Sequence, residues 1–98
     1  MSRYYTLEDG VVTPCDDLIK WGRWLEKANR TVECTHITSQ IDVSTVFLGL
    51  DYRFSDVGQP IVFETLVFGG DFDGEMNRYT SLDAAKQGHA IMVAKVTQ

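Results

Sequence analysis

Four side chains in this sequence have the chemistry to bind a soft metal ion: Cys15, Cys34, His36 and His89. Cys34 and His36 are two residues apart in a β-rich segment, so we expect them to project from the same face of one strand. The sequence lacks the Cys-x-x-Cys and His-x-x-x-His spacings that are typical of zinc sites. We therefore expect no metal and no cofactor, and we interpret both cysteines as small, unpaired core residues in a reducing compartment.

Catalysis would need an activated nucleophile or a phosphate-binding loop, and neither signature is present. The sequence contains no Gly-x-Ser-x-Gly turn and no glycine-rich loop that precedes a helix. We therefore expect no catalytic residue and no enzyme activity.

Two ionisable residues stand in apolar surroundings. Glu64 lies inside an apolar strand segment, where it is either exposed or paired with Arg78 or His36. His89 lies on the apolar stripe of a helix, which is typical of a hydrogen-bonded core histidine. A small-ligand site that uses Glu64 and His89 is the alternative interpretation.

Residues 71–75 superficially resemble the start of an EF-hand calcium loop. The glycine of that loop, Gly74, comes too early, and Leu82 stands where the last acidic ligand is required. We expect a solvated acidic turn and no calcium.

Two acid-rich loops, over residues 51–60 and 69–77, carry aromatic side chains. Aromatic residues on loops commonly anchor protein interfaces. The predicted protein-binding residues are Asp51, Tyr52, Phe54, Asp56, Asp71, Phe72, Asp73 and Glu75. The alternative is that Phe54 and Phe72 fold back as plugs of their loops. The loops flank opposite ends of one predicted strand, so they need not form one surface.

The charge of the chain is uneven. The net charge is −5. Residues 1–30 hold five basic and five acidic side chains, whereas residues 31–98 hold four basic and nine acidic ones, so the excess of acidic residues comes from the second part of the chain. This balance opposes direct nucleic-acid binding and suits a partner with a basic surface, or it simply aids solubility.

The segment that begins with Met1 and Ser2 lacks the apolar run of a signal peptide, and no stretch approaches the roughly 18 apolar residues of a membrane helix. We therefore expect a cytoplasmic protein without a membrane partner.

The strongest structural signal is a pair of β-rich segments, 43–50 and 61–68, which should pair as an antiparallel hairpin in the core. A strand over 31–37 precedes them. Short strands over 4–7 and 11–12 flank a Glu-Asp-Gly turn.

Two helices are predicted, over 14–28 and 81–95. The first begins with Thr13 as N-cap and Pro14 at the first helical position, which places Cys15 in the first turn. Gly88, beside the apolar stripe of the second helix, predicts a close approach to the sheet. The expected fold is one α+β domain over residues 1–98, in the order (β)-α-β-β-β-α. Its antiparallel sheet has three main strands, or is slightly larger if the N-terminal segment joins it, and both helices pack on one face.

Three stretches together resemble a family of small phage and prophage proteins of no settled function. They are VSTVFLGLD at 43–51, FETLVFGG at 63–70, and Arg78-Tyr79 followed by Ala85 and Gly88-His89. The resemblance implies a phage-encoded accessory protein in the bacterial host cytoplasm, and it assigns no residue a role. Small acidic phage proteins often bind host proteins, and inhibitors of CRISPR systems are one such class. We therefore predict binding to a host or phage protein, including inhibition of a host defence system, with a structural homo-oligomer as the alternative.

The predicted α-β-β-β-α order also resembles the double-stranded-RNA-binding domain in topology. That family uses lysines at the start of its last helix to contact phosphates. Residues 81–86 here contain one lysine, Lys86, and an aspartate, Asp83. The departure argues against RNA binding.

Overall fold

A computed structural model describes residues 3–98 of the chain; Met1 and Ser2, which belong to the leader prediction above, lie outside the described residues. The fold is α+β. Its elements in chain order are β1 (Tyr5–Glu8), β2 (Val11–Pro14), α1 (Leu18–Lys27), β3 (Thr31–Thr38), β4 (Ile41–Phe47), β5 (Phe63–Phe68), β6 (Met76–Tyr79) and α2 (Leu82–Val96).

The main sheet is antiparallel, with its strands in the order β3-β4-β5-β6. The predicted central hairpin is confirmed, since β4 pairs with β5 in a register that sets Val43 opposite Val67 and Phe47 opposite Phe63. Alternate residues of these strands point to opposite faces. One face is buried, and the other, which carries Glu64, is only partly covered.

Helix α2 covers the buried face and contacts all four strands of the sheet. It begins after Ser81, whose side chain accepts a hydrogen bond from the backbone N–H of Ala84 at 3.1 Å and so caps the helix. Ala85 packs with Phe47 and Phe63, while Met92 packs with Val43 and Val67. The predicted second helix is therefore confirmed to within a residue at each end.

The fourth strand corrects the predicted three-strand layout. Residues 69–77 were expected to form a loop, but the chain reverses within 69–75 and returns as β6, which pairs with β5. Gly69, Gly70 and Gly74 all have positive φ angles, which glycine adopts without steric cost, and they produce this tight reversal. Asp73 supports it by accepting a hydrogen bond from the Gly69 N–H at 2.7 Å.

The N-terminal segment forms a separate two-stranded hairpin rather than an extension of the main sheet. Asp9 and Gly10 at its turn both have positive φ, as a type I′ hairpin turn requires. Because Thr13 and Pro14 pair with β1, they belong to β2 and not to a helix, and the predicted helix start is wrong. Asp17 caps α1 instead, accepting hydrogen bonds from the backbone N–H groups of Ile19 and Lys20.

Helix α1 lies at one end of the main sheet. Its closest strand is β1, and it reaches the sheet through Trp24, which meets Phe47 edge-on. The Trp21 indole N–H lies 3.1 Å from the Tyr5 carbonyl and 3.2 Å from the Gly49 carbonyl. Trp24 packs on the same buried cluster as Ala85 and Leu82 of α2, so both helices contact the buried side of the sheet, with α2 along the face and α1 at the end of β4.

Candidate protein-binding site

The loop between β4 and β5 is organised by a buried ion pair that joins two residues of the loop itself. Asp51 and Arg53 have side chains less than a tenth exposed, and the Arg53 Nε lies 2.7 Å from Asp51 Oδ2. Asp51 Oδ1 accepts hydrogen bonds from the backbone N–H groups of Arg53 and Ile61, each at 3.0 Å. The Arg53 guanidinium also donates to the Gly58 carbonyl. One carboxylate and one guanidinium thus connect the beginning, middle and end of the loop.

These contacts fix the charge state of Asp51. Burial by itself would raise the pKa of this carboxyl, but the backbone hydrogen bonds from Arg53 and Ile61, together with the Arg53 guanidinium, outweigh it. The net effect is a pKa below the ordinary value of 3.8. Asp51 was predicted to contact a partner, but the structure places it inside the loop as a brace.

The tip of the same loop displays apolar side chains to solvent. The relative accessibility of Phe54 is 111%, and that of Val57 is 83%. The expectation that Phe54 folds back as a plug is therefore wrong. Tyr52 lies against Arg78 of β6, with the guanidinium carbon 4.4 Å from the ring centroid. We call residues 52–58 the recognition loop. The Asp51–Arg53 pair fixes its conformation, in which the apolar side chains at its tip are exposed to solvent.

The second acid-rich loop is a different kind of structure. Phe72 does fold back, packing on the cluster of Val43, Val67 and Met92, as the plug interpretation expected. Glu75 forms an ion pair with Lys95, and Asp73 holds the turn. The two loops lie at opposite ends of β5, so the predicted residues 51–56 and 71–75 are not brought together.

Replacing Asp51 with asparagine is expected to lower the free energy of unfolding by about 2 kcal/mol, since it leaves the buried Arg53 guanidinium without a countercharge. The folded-state pKa of Asp51 is lowered, so its stabilisation is complete above the unfolded pKa and is lost as the pH falls through the folded value. Denaturant unfolding from neutral pH into acid should therefore show a smaller loss of stability in Asp51→Asn than in the unchanged chain. Asp56→Asn, in the same loop but exposed, is the control, and equal behaviour of both variants would contradict the brace.

His89 and Glu64, the two candidates for a ligand site, are separated by the sheet. The His89 side chain is buried, with Nδ1 2.7 Å from Thr45 Oγ1 and Nε2 2.8 Å from Thr35 Oγ1. Thr45 Oγ1 in turn lies 2.5 Å from Thr65 Oγ1. These contacts fit the core-histidine interpretation, because both ring nitrogens are occupied.

Glu64 lies on the opposite face of the sheet and pairs with Arg78, whose Nε is 3.0 Å from Oε2. Pairing with Arg78 was one of the predicted alternatives, and it is confirmed. The structure offers no shared cleft in which Glu64 and the buried His89 ring could contact one ligand.

The remaining soft ligands are dispersed. Cys34 and His36 do share a strand face, as predicted, and His36 Nδ1 lies 2.5 Å from Asp42 Oδ1. Cys15 and Cys34 do not form a disulfide with each other, and Cys34 is exposed on β3, so its interpretation as a core residue is wrong. Within residues 3–98, no group of His, Cys, Asp and Glu side chains has the arrangement of a metal site. Neither helix of the described chain is long and apolar enough to cross a membrane.

Sequence reasoning missed Arg53 and Val57, and it missed the threonines around His89. The spacing Asp51-x-Arg53 at the start of a glycine- and serine-containing loop is a local signal for a bracing ion pair. The threonines carry no such signal, because their shared contact with His89 depends on the register of three strands.

Comparisons with protein-family models, with curated proteins and with solved structures found no match for this chain.

Proposed function

We propose that this chain is a non-enzymatic protein-binding domain that engages its partner through the recognition loop, with Phe54 as the anchor. The observation that carries the proposal is the full exposure of Phe54 on a loop whose conformation is held by the buried Asp51–Arg53 pair. An aromatic side chain on a braced loop loses little conformational freedom on binding, so most of its apolar burial contributes to affinity.

The rest of the loop fits the composition of a protein interface. Tyr and Phe are enriched at interface centres, and Tyr52 and Phe54 lie two residues apart here. Val57 adds a second exposed apolar side chain, and Asp56 adds an exposed charge at the rim. Among the predicted binding residues, Tyr52, Phe54 and Asp56 therefore form the proposed contact set.

The sequence resemblance implies that this chain is a phage-encoded accessory protein. Such a protein would bind a host or phage protein and could thereby block a host defence system. This part of the proposal concerns which protein is bound. The exposed loop supports protein binding, and identification of the bound protein would show whether a defence system is the target.

The test is affinity capture from bacterial lysate with three tagged forms of the chain: unchanged, Phe54→Ser and Ile91→Ser. Ile91 lies on α2 and is 68% exposed, so its replacement removes a comparable apolar side chain from a different surface. We expect a protein that is captured by the unchanged chain and by Ile91→Ser, with recovery reduced about tenfold or more for Phe54→Ser. Capture that is equal for all three forms, or no specifically captured protein, would contradict the proposal.

A further inference from the structure

Three apolar side chains form a cluster on the open face of the main sheet, the face that α2 does not cover. The register places Leu66 directly opposite Met76, and Phe68 follows Leu66 by two residues on the same face. Side chains paired directly or diagonally across two strands are within reach of one another. Phe68 is 50% exposed and Met76 is 43% exposed. We call Leu66, Phe68 and Met76 the open-face strip, and its contiguity distinguishes it from a single exposed apolar residue.

The open-face strip is connected to the recognition loop through Arg78. The Arg78 guanidinium carbon lies 4.4 Å from the centroid of the Tyr52 ring, and its Nε lies 3.0 Å from Glu64 Oε2. Glu64 precedes Leu66 by two residues, and Arg78 follows Met76 by two, so all four lie on the same face. Tyr52, the ion pair and the strip therefore follow one another along one surface, which extends about 20 Å over the length of β5.

The recognition loop by itself is too small for a stable interface. It contains seven residues, 52–58. A specific interface of standard size involves about 20–30 residues and about 800 Å² on each side. A partner that is anchored by Phe54 must therefore contact a further part of this chain.

Two surfaces adjoin the recognition loop. One is the open face, which Tyr52 reaches through Arg78. The other is the N-terminal segment, where the Arg3 carbonyl accepts a hydrogen bond from the Asp51 N–H at 3.0 Å. Exposed apolar area on the N-terminal hairpin belongs to Val11, which lies beside the turn, at the end of the hairpin away from this contact. The exposed apolar cluster that borders the loop is therefore the open-face strip.

The charged side chains around the strip are held within the chain. Glu64 pairs with Arg78, and Asp42, which lies opposite Phe68, is 2.5 Å from His36 Nδ1. The acids of the turn 69–75 lie beyond the end of the strip. A charged partner group placed on the strip would lose hydration without gaining a free countercharge, whereas an apolar group would gain from burial. A phosphate backbone is disfavoured for the same reason.

From this continuity, size and charge we infer that the partner of the recognition loop also covers the open-face strip, through an apolar protein surface that carries no net charge. The inference rests on the proposed function and extends the same site from the loop onto the sheet. The net charge of −5 favours a basic partner elsewhere on the chain, but the pairs on this face leave no excess acid beside the strip.

A second copy of the chain stacked on this face fits less well. The four strands lie about 4.8 Å apart, so over the length of β5 the face has a footprint of about 400 Å². That is about half of what each side of a standard interface buries. A partner that spans both the strip and the recognition loop reaches a larger area.

The first experiment repeats the affinity capture from bacterial lysate with Phe68→Thr, Met76→Thr and the double variant. Threonine removes the apolar side chain but favours β-strands, so the sheet is preserved, and thermal unfolding verifies that each variant is folded. We expect recovery of the protein captured by the unchanged chain to fall about threefold for each single variant and about tenfold for the double variant. Ile91→Thr, on the exposed side of α2, is the matched control and should leave recovery unchanged.

Photo-crosslinking identifies the chemistry of what lies on the strip. Replacing Phe68 with p-benzoylphenylalanine keeps an aromatic side chain there, and the same replacement of Val11 samples the hairpin. We expect position 68 to label the same protein as p-benzoylphenylalanine in place of Phe54, at a peptide that is mainly apolar and has no net charge. Raising the salt from about 0.05 M to about 0.5 M should change recovery less than twofold, because apolar contacts are not screened.

The outcomes separate this inference from the proposed function. Full capture by the double variant, with loss of capture by Phe54→Ser, would leave the proposed function standing and overturn the open-face strip. Labelling of a second copy of this chain or of a charged peptide from position 68, stronger labelling from position 11, or a tenfold loss of recovery at high salt would also overturn it. Loss of capture by the double variant with full capture by Phe54→Ser would instead support the strip and contradict the recognition loop.

Discussion

Replacing His89 with alanine is expected to lower the free energy of unfolding by about 3 kcal/mol, which for a chain of this size corresponds to a fall of about 15 °C in Tm. The imidazole is among the most buried side chains, and both of its nitrogens contact threonine hydroxyls. Its removal leaves a cavity between α2 and the sheet. It also leaves the buried Thr45 hydroxyl with only Thr65 as a partner.

His36 provides the matched control, because it is the other histidine of the chain and lies on the open face of the same sheet. Its side chain is 76% exposed and its contact is with the half-exposed Asp42, so His36→Ala should change stability by about 0.5 kcal/mol or less. Thermal and denaturant unfolding of both variants measures the difference. A His89→Ala variant that unfolds like His36→Ala would show that the threonine–histidine cluster does not organise the core.

Replacing Gly88 with alanine is expected to destabilise the fold by about 2 kcal/mol, although alanine is the better helix former. A Cβ at this position would overlap the ring of Tyr79, which packs directly over the glycine. Helix α2 would have to move away from β6, or Tyr79 would have to leave its site between them.

Gly22 in α1 is the control for the higher helix propensity of alanine relative to glycine. Apart from its two chain neighbours and the backbone of its own helix, nothing in the described chain lies within 4 Å of a Cβ built there, so Gly22→Ala should raise the free energy of unfolding by about 0.5–1 kcal/mol. The two alanine variants are therefore expected to shift the denaturant midpoint in opposite directions. A rise in the denaturant midpoint for Gly88→Ala as well as for Gly22→Ala would mean that the contact between Gly88 and Tyr79 is loose.

The sequence predicted the features that depend on local patterns. The runs at 43–50 and 61–68 are rich in β-branched and aromatic residues, so they were recognisable as a central pair of strands. The periodic apolar stripe from Leu82 to Val96 indicated α2, and Gly88 beside that stripe indicated the close approach that Tyr79 makes.

The errors arose where one local pattern fits two structures. Thr13-Pro14 is a common helix start, but the same residues suit the end of an edge strand, where proline needs no hydrogen-bond donor. The pairing with β1 decided between them. Strand β6 has no alternation of its own, so only its pairing with β5, including the Glu64–Arg78 contact, defines it.

The candidate site was only partly predictable for the same reason. The acid and aromatic composition of residues 51–60 indicated a binding loop. The composition does not show which acidic side chain faces inward. Asp51 is held inside the loop partly by the backbone N–H of Ile61, which lies ten residues later in the chain.

The most direct test of protein binding through the recognition loop replaces Phe54 with the photoreactive p-benzoylphenylalanine, which keeps an aromatic side chain at the proposed anchor. The same replacement of Ile91 on α2 is the control, since both positions are exposed. After irradiation in bacterial lysate, mass spectrometry identifies the covalent adducts. We predict a discrete protein adduct from position 54 that is absent from position 91 and is suppressed by an excess of the unchanged chain. An identical set of adducts from both positions, or none from position 54, would contradict the proposed function.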